Sequence, residues 1–528
     1  MSLSTVYVRN VDDEERIHIN FTYKLNDKTR EFNMNRSKTE NLSETINRLS
    51  QNLIKWIEKS SKKKNKQDIQ SPTEIDISLL EGDQVIDLST KTGDAWKQDG
   101  IMKIADEKFK IEVNIPTIQS INLSSSILAG FPILFRVESD FTDLQISKFT
   151  WSKEVKKEVE LQNGKRVVTT SWVELSNERE FRPSVNDIGC RIKCTILPRN
   201  KDKNGQEKSG ESKCTISAGP GVCPFEERHL YTTEPCDKDS IRVVTYNVLA
   251  GLYADTDYSK AVLYPYCPAY ALSTDYRKQL YIKELIGFNA DIISLQELDK
   301  KIFYNDLQPK FVADYSIHLA DCIEKDYNSD VKDKILSKDL LKEKIMPRKN
   351  TLQLIHVKCK GGNRDDILIG NTHSYFHPTA DHIRVIQAYL SLKHMEMVLK
   401  NLKDVKPKII FCGDFNSDPL SGAVQLLQDG KINNNHKAFF SDGEAQYVPN
   451  WNFESLFKFK SATGYPDYTN YIASFHGCLD YVFVESDKFE VLRTIPMPAH
   501  EHVTQMTALP NAVFPSDHLS LVCEVRPI

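Results

Sequence analysis

Apolar and polar positions alternate with a period of two in residues 6–9 and 17–25, which predicts two strands with one buried face. A helical spacing follows. Leu42, Ile46, Leu49, Leu53 and Ile57 fall on one face, and Ser37 with Glu40 predicts a capping box at the start of that helix. The run Lys62-Lys63-Lys64-Asn65-Lys66 ends it as a solvated linker. Strand-like runs return at 75–80, 85–88 and 109–113, so residues 1–118 read as a small α+β module.

From 119 to 217 the pattern is all-β. Phe149-Thr150-Trp151 sits in a strand, and Asp187-Ile188-Gly189 precedes alternating residues up to Cys194. A central Trp with a late Asp-x-Gly resembles an immunoglobulin-like β-sandwich. No well-placed Cys precedes Trp151 and no Tyr follows Gly189, so no disulfide between the sheets is expected. Ala218-Gly219-Pro220-Gly221 breaks the pattern as a linker.

Residues 222–528 form the third predicted domain. Apolar strands are expected at 242–246, 291–295, 367–370, 408–412, 481–484 and 519–525, with helices near 276–287 and 382–400. The second helix places Ile383, Ile386, Leu390 and Met397 on one face. The fold class is α+β, with this domain a two-sheet α/β sandwich covered by helices. Its strands end alike, on Asn247, Gln296-Glu297, Asn371-Thr372-His373 and Gly413-Asp414-Phe415-Asn416. Asp480 opens a further strand and Ser516-Asp517-His518 precedes the last. Such ends converge when the strands share a sheet rim.

That set suits one chemistry. A phosphodiester resists water because the phosphorus is shielded by negative oxygens, and a divalent cation removes that obstacle. Hard cations take carboxylate oxygens, which Glu297, Asp414 and Asp517 offer. Asp414 is also a base for the attacking water, and His373, His518 and Asn416 are donors to the developing oxyanion.

Composition narrows the class. The 528 residues are 40% hydrophobic and 27% charged with a net charge of −4, which argues against a protein coated in basic surface for duplex DNA. No apolar run reaches about 18 residues, so no membrane helix and no membrane partner is expected. The start lacks a secretory apolar segment, and Asp12-Asp13-Glu14-Glu15 is unlike a transit peptide. The eleven cysteines are scattered without a CxxC pair, which points to free thiols in a reducing compartment.

The polar strand ends resemble the endonuclease/exonuclease/phosphatase superfamily. Tyr246-Asn247-Val248-Leu249-Ala250, Tyr264-Pro265-Tyr266-Cys267, His373-Ser374-Tyr375-Phe376-His377-Pro378 and Tyr468-Thr469-Asn470-Tyr471 are similar to its deadenylase branch. The likeness continues upstream through Ala95-Trp96-Lys97-Gln98-Asp99-Gly100, Ala129-Gly130-Phe131-Pro132 and Gly219-Pro220-Gly221-Val222-Cys223. It implies a Mg2+-dependent 3′ exoribonuclease whose substrates are 2′,5′-oligoadenylate and the 3′,5′-linked poly(A) tails of RNA. By the same resemblance Glu297, Asp414, Asn416, Asn247 and Asp517 are metal-site residues, with Glu297 the main ligand. Asp414, His518, His373 and Asn416 are catalytic, and Asp480 supports them. His373, Pro378, Asn416, Asn470 and Phe475 contact substrate, with Phe475 stacking on an adenine. The resemblance implies the mitochondrial matrix, with the cytoplasm the alternative, and it names no protein partner.

One departure stands out. The family carries a strand with a Gly-x-Ala pattern after the Gln-Glu motif, whereas here Phe311 runs straight into Val312. A segment of about 25–30 residues is expected to be missing, leaving an interior gap in a sheet. Two alternatives therefore stay open: an inactive RNA-binding scaffold, and another phosphoesterase of the superfamily, such as an abasic-site endonuclease or a lipid or inositol phosphatase.

Overall fold

A computed structural model describes residues 4–25, 28–62, 75–160, 166–307, 316–318, 329–337, 339–358, 366–402, 405–440 and 451–528. Two compact units emerge. One comprises Met1–Leu123, Arg136–Phe181 and Cys190–Ser212; the other comprises Ser124–Phe135, Arg182–Gly189 and Lys213–Ile528.

The first unit holds a seven-stranded sheet whose strands Ser4–Arg9 and Glu107–Val113 pair in parallel at its centre. Helix Leu42–Lys62 lays Leu42, Leu49 and Leu53 into one buried cluster with Phe21, Phe32 and Phe109, as its spacing predicts. The capping box does not form. Ser37 closes the strand Lys28–Ser37, and Glu40 accepts instead from Arg36 at 2.6 Å and from the Thr45 hydroxyl at 2.5 Å. The stretch read as a strand at 85–88 is paired only over Gln84–Val85. Lys63 to Lys66 lie outside the described residues. Further along, Arg166–Ser176, Lys148–Glu160, Ile192–Leu197 and Lys208–Glu211 form a four-stranded antiparallel sheet, and Thr117–Leu123 pairs with Phe135–Asp140. Trp151 is buried there, and its indole donates to the Glu178 carbonyl at 3.0 Å.

Among the described residues the second unit is built on two larger sheets, with two short two-stranded ones beside them. Its main strands are β1 (Ile241–Asn247), β2 (Ile292–Gln296), β3 (Ser316–His318), β4 (Thr351–Val357), β5 (Ile367–His373), β6 (Lys408–Asp414), β7 (Phe459–Ser461), β8 (Asp480–Glu485), β9 (Phe489–Thr494) and β10 (Leu521–Pro527). One sheet runs β2-β1-β10-β9 and the other β3-β4-β5-β6-β8-β7. Val243, Ile369, Ile410, Cys412, Val482, Val484 and Cys523 from the two sheets share one buried cluster, which makes the pair a sandwich. Strand alternation aims the next residues outward. Val244 and Tyr246 pack on Tyr281, Ile282 and Leu285 of helix α1 (Thr274–Gly287). Phe411, Tyr481 and Phe483 pack with Ile386 and Leu390 of helix α2 (Asp381–Asn401) and with Leu426 of helix α3 (Gly422–Asp429). Fully burying each such side chain contributes about 1.5–3 kcal/mol. In α2 the face extends to fully buried Met395, while Met397 is only partly covered.

The expected interior gap is corrected by these strands. β4, which the sequence reading did not anticipate, pairs with β5 along its length, and β3 covers its outer edge at Thr351, Leu352 and Gln353. Among the described residues the sheet is continuous from β3 to β7. The junction of Phe311 with Val312 lies outside the described residues.

Pairing directions set the rim. β1 with β2, and β5 with β6, are parallel, so Asn247 ends level with Gln296 in one sheet and His373 level with Asp414 in the other. β8 and β10 run the other way, which brings Asp480 opposite Asp414 and starts β10 beside the end of β1. No helix among the described residues is long and apolar enough to cross a membrane.

Candidate active site

At that rim Asn247 is the central group. Its amide nitrogen donates to Glu297 Oε1 at 3.1 Å and to Asp414 Oδ2 at 3.1 Å, while its amide oxygen accepts the Leu249 N–H at 3.0 Å. The side chain, expected to lend an oxygen to a metal, instead presents N–H groups that tie two carboxylates together. Glu297 sits in the left-handed region at φ 59°, a conformation that costs a non-glycine residue about 1–2 kcal/mol. It is held by the Ala250 N–H, which donates to Glu297 Oε2 at 2.8 Å.

Asp414 is buried at the end of β6. Gly413 precedes it at φ +146°, and a Cβ there would lie 2.0 Å from the Thr372 carbonyl oxygen. Only glycine lets the two strands approach that closely before the carboxylate emerges. Asp414 Oδ1 accepts the Asn416 N–H at 2.9 Å, and Oδ2 lies 3.4 Å from His373 Nε2 and 3.6 Å from His518 Nε2. Asn416, at φ 49°, donates its amide to the Ser374 carbonyl at 3.0 Å.

His518 is buried and oriented from behind. Its Nδ1 lies 2.8 Å from Asp480 Oδ2, which also accepts the Thr469 hydroxyl at 2.6 Å. Burial opposes a charge on the imidazole, but the charges of Asp480 and Asp414 outweigh it and hold His518 well above its ordinary value. Burial raises the Asp480 carboxyl, with the neighbouring Asp414 adding to the effect and His518 opposing it. Asp517 Oδ2 accepts the Tyr264 hydroxyl at 3.2 Å, and its Oδ1 lies 3.4 Å from the Ser516 hydroxyl.

Of the substrate-contact candidates, His373 and Asn416 lie in this group, against Asp414. The hairpin of Asn470–Ile472 and Phe475–Gly477 is pinned to the rim, because the Asn470 amide and the Tyr471 N–H both donate to the Asp517 carbonyl. Phe475 pairs with Ile472 and Asn470 with Gly477, so Phe475 and Asn470 share a face. Phe475 is 48% exposed. Pro378 is exposed, and its carbonyl accepts from Arg384 at 3.2 Å. Sequence reasoning missed Thr469, Tyr264 and the Ala250 N–H. The first two lay in motifs already singled out, and backbone donors carry no residue-type signal.

The donor set fits a divalent cation. Glu297 and Asp414 bring hard oxygens to one side of Asn247, and among the described residues neither is paired with a lysine or arginine. Asp414, Asp480 and His518 also offer donor atoms within 4.8 Å of one another. There, however, His518 Nδ1 is engaged by Asp480 itself, so that trio is a hydrogen-bonded relay, and the carboxylates left to a cation are those of Glu297 and Asp414.

Comparison with known proteins agrees with this geometry. A model of the 2′,5′-phosphodiesterase 12-like N-terminal domain matches residues 115–217, and the Endonuclease/Exonuclease/phosphatase family model matches 244–518. The chain is 33% identical to 2′,5′-phosphodiesterase 12 of Mus musculus, over 99% of this chain and 94% of that protein. It is 37% identical to the Homo sapiens protein of that name, over 82% of this chain and 77% of that protein. The CCR4-Not complex 3′-5′-exoribonuclease subunit Ccr4 of Schizosaccharomyces pombe is 28% identical over 54% of this chain and 49% of its own length. Sequence identity over nearly the whole chain and the family match thus lead to one assignment: the chain belongs to the 2′,5′-phosphodiesterase 12 family of the endonuclease/exonuclease/phosphatase superfamily.

Proposed function

We propose that this chain is a Mg2+-dependent phosphodiesterase that removes AMP stepwise from the 3′ end of adenosine oligomers, both 2′,5′-linked oligoadenylate and the 3′,5′-linked poly(A) tails of RNA. The observation that carries this reading is the row Glu297–Asn247–Asp414, with His373 and His518 on its flank. Relatives named for 2′,5′-phosphodiesterase and 3′-5′-exoribonuclease activity support the substrate class.

Glu297 and Asp414 would hold the cation, which when bound neutralises the phosphate oxygens and stabilises the leaving oxygen. The remaining work falls to side chains. Asp414 takes a proton from the attacking water. His518, kept protonated by Asp480 and Asp414, donates to a non-bridging oxygen as charge develops there. His373 lies beside the same carboxylate and supplies a second donor. Asn247 holds the two carboxylates at a constant separation, so little reorganisation is needed during the reaction. Phe475 offers a ring face to the terminal adenine, with Asn470 on the same side of the hairpin. The intact row argues against a purely binding scaffold.

Denaturing gels of purified protein with 2′,5′-tetraadenylate and with an A-tailed RNA test this. The expected outcome is a ladder shortening from the end opposite the 5′ terminus with AMP as product, and its arrest when both the 2′- and the 3′-hydroxyl of the terminal nucleotide are blocked. Internal cleavage, or release of inorganic phosphate alone, would overturn the reading in favour of another phosphoesterase.

A further inference from the structure

Thr469 is fully buried and lies between the substrate hairpin and the His518 relay. Its hydroxyl oxygen accepts two backbone N–H groups, from Leu479 at 2.9 Å and Asp480 at 3.1 Å. With both lone pairs engaged, the hydroxyl proton has one direction left, and Asp480 Oδ2 is there at 2.6 Å. That oxygen is the one His518 Nδ1 meets at 2.8 Å. The other oxygen, Asp480 Oδ1, is buried without a hydrogen-bond partner, so the carboxylate is fixed entirely through its Oδ2 side. The Thr469 backbone reinforces the arrangement. Its carbonyl accepts the Leu519 N–H at 2.7 Å, next to His518, and its N–H donates to the Gly477 carbonyl at 2.9 Å, within the hairpin.

From this geometry we infer that Thr469 is a positioning residue: its hydroxyl sets the rotamer of Asp480, and through Asp480 the direction of His518 Nε2 toward the reacting phosphate. A carboxylate with one free oxygen in a buried pocket can rotate about its last bond, and the threonine proton removes that freedom. The role rests on the proposed phosphodiesterase reading, and it is specific to the hydroxyl rather than to the methyl group.

The test compares Thr469→Val, Thr469→Ser and the pair Thr469→Val with Asp480→Asn, all in the full chain. Wild-type turnover of 2′,5′-oligoadenylate is measured first, and its absence would refute the functional reading rather than this one. With turnover present, Thr469→Val is expected to lower kcat about tenfold or more with KM within about twofold, the size of effect an outer orienting partner has. Thr469→Ser is expected to stay near wild type. In the Asp480→Asn background Thr469→Val should change kcat less than about twofold, because residues acting as one unit are not additive. Independently of activity, the downfield imidazole N–H proton of His518 should shift or broaden in Thr469→Val and persist in Thr469→Ser. An unchanged kcat or imidazole signal in Thr469→Val, multiplicative losses in the double variant, or a Thr469→Ser as impaired as Thr469→Val would overturn the proposal. So would a Thr469→Val that fails to fold while Thr469→Ser is active, since the hydroxyl would then be a folding element.

Discussion

Glu297 accepts the backbone N–H of Ala250 at 2.8 Å, while its own backbone stands at φ 59°. One carboxylate oxygen is thereby committed to holding the strained turn after β2, and the other faces Asn247. Exchanging this carboxylate for an amide would keep the shape and remove the charge that a cation needs. Glu297→Gln is expected to fold normally and to lose activity by a factor of about 100 at limiting Mg2+. Circular dichroism and a Mg2+ titration of turnover check this; a variant within a few-fold of wild type would remove Glu297 from the metal site.

The His518 relay predicts a pH dependence. Asp480 and Asp414 hold its imidazole well above the ordinary value against the opposing effect of burial. A group whose folded pKa is raised contributes its stability fully below the unfolded value of about 6.5, and loses it as pH rises through the folded value. The thermal midpoint of the wild type should therefore fall on the alkaline side of neutrality, and that fall should be smaller in His518→Gln. Parallel curves for the two proteins would contradict the relay.

Gly413→Ala places a Cβ 2.0 Å from the Thr372 carbonyl oxygen at a φ of +146°. Neither strand can retreat without opening the β5–β6 pairing that aligns His373 with Asp414. The expected loss is more than about 3 kcal/mol, in the range reserved for strain at a special backbone site. Urea unfolding monitored by tryptophan fluorescence measures it, and a loss under about 1 kcal/mol would show that the strands adjust.

Phe475 is 48% exposed and belongs to no buried hydrophobic cluster among the described residues, so Phe475→Ala should leave the thermal midpoint close to wild type. Loss of a base-stacking face is worth about 1–3 kcal/mol. A roughly tenfold or greater rise in KM is expected for A-ended RNA, with a smaller change for U-ended RNA. Equal losses on both would deny the ring its stacking role.

The rim was legible because its strands are apolar runs with a polar residue at the rim end, the last residue of some and at or just before the start of others. Asn247, Glu297, His373, Asp414, Asp480 and His518 were found that way, and pairing within each sheet brings neighbouring ends level. The direction of a side chain was not legible. Nothing in the residue type tells that the Asn247 amide turns its N–H groups to the carboxylates, because that follows from the Leu249 N–H holding its oxygen. β4 was missed although buried Leu352 and Leu354 alternate with less buried neighbours, since it lies in the stretch read as lacking a strand. Ser37 and Glu40 have the spacing of a capping box, yet strand pairing carries on through Ser37 up to its partner Arg16. The assignment of 124–135 and 182–189 to the second unit depends on long-range pairing that no local pattern encodes.

The most direct test of a cation held between Glu297 and Asp414 is the rate of AMP release from 2′,5′-triadenylate as a function of Mg2+ concentration, for the wild type and for Asp414→Asn. Saturable dependence on Mg2+ is expected, with arrest by a chelator and a rate for Asp414→Asn lower by at least about 100-fold at saturating Mg2+. Release that is indifferent to the cation, or an Asp414→Asn variant within a few-fold of the wild type, would contradict it.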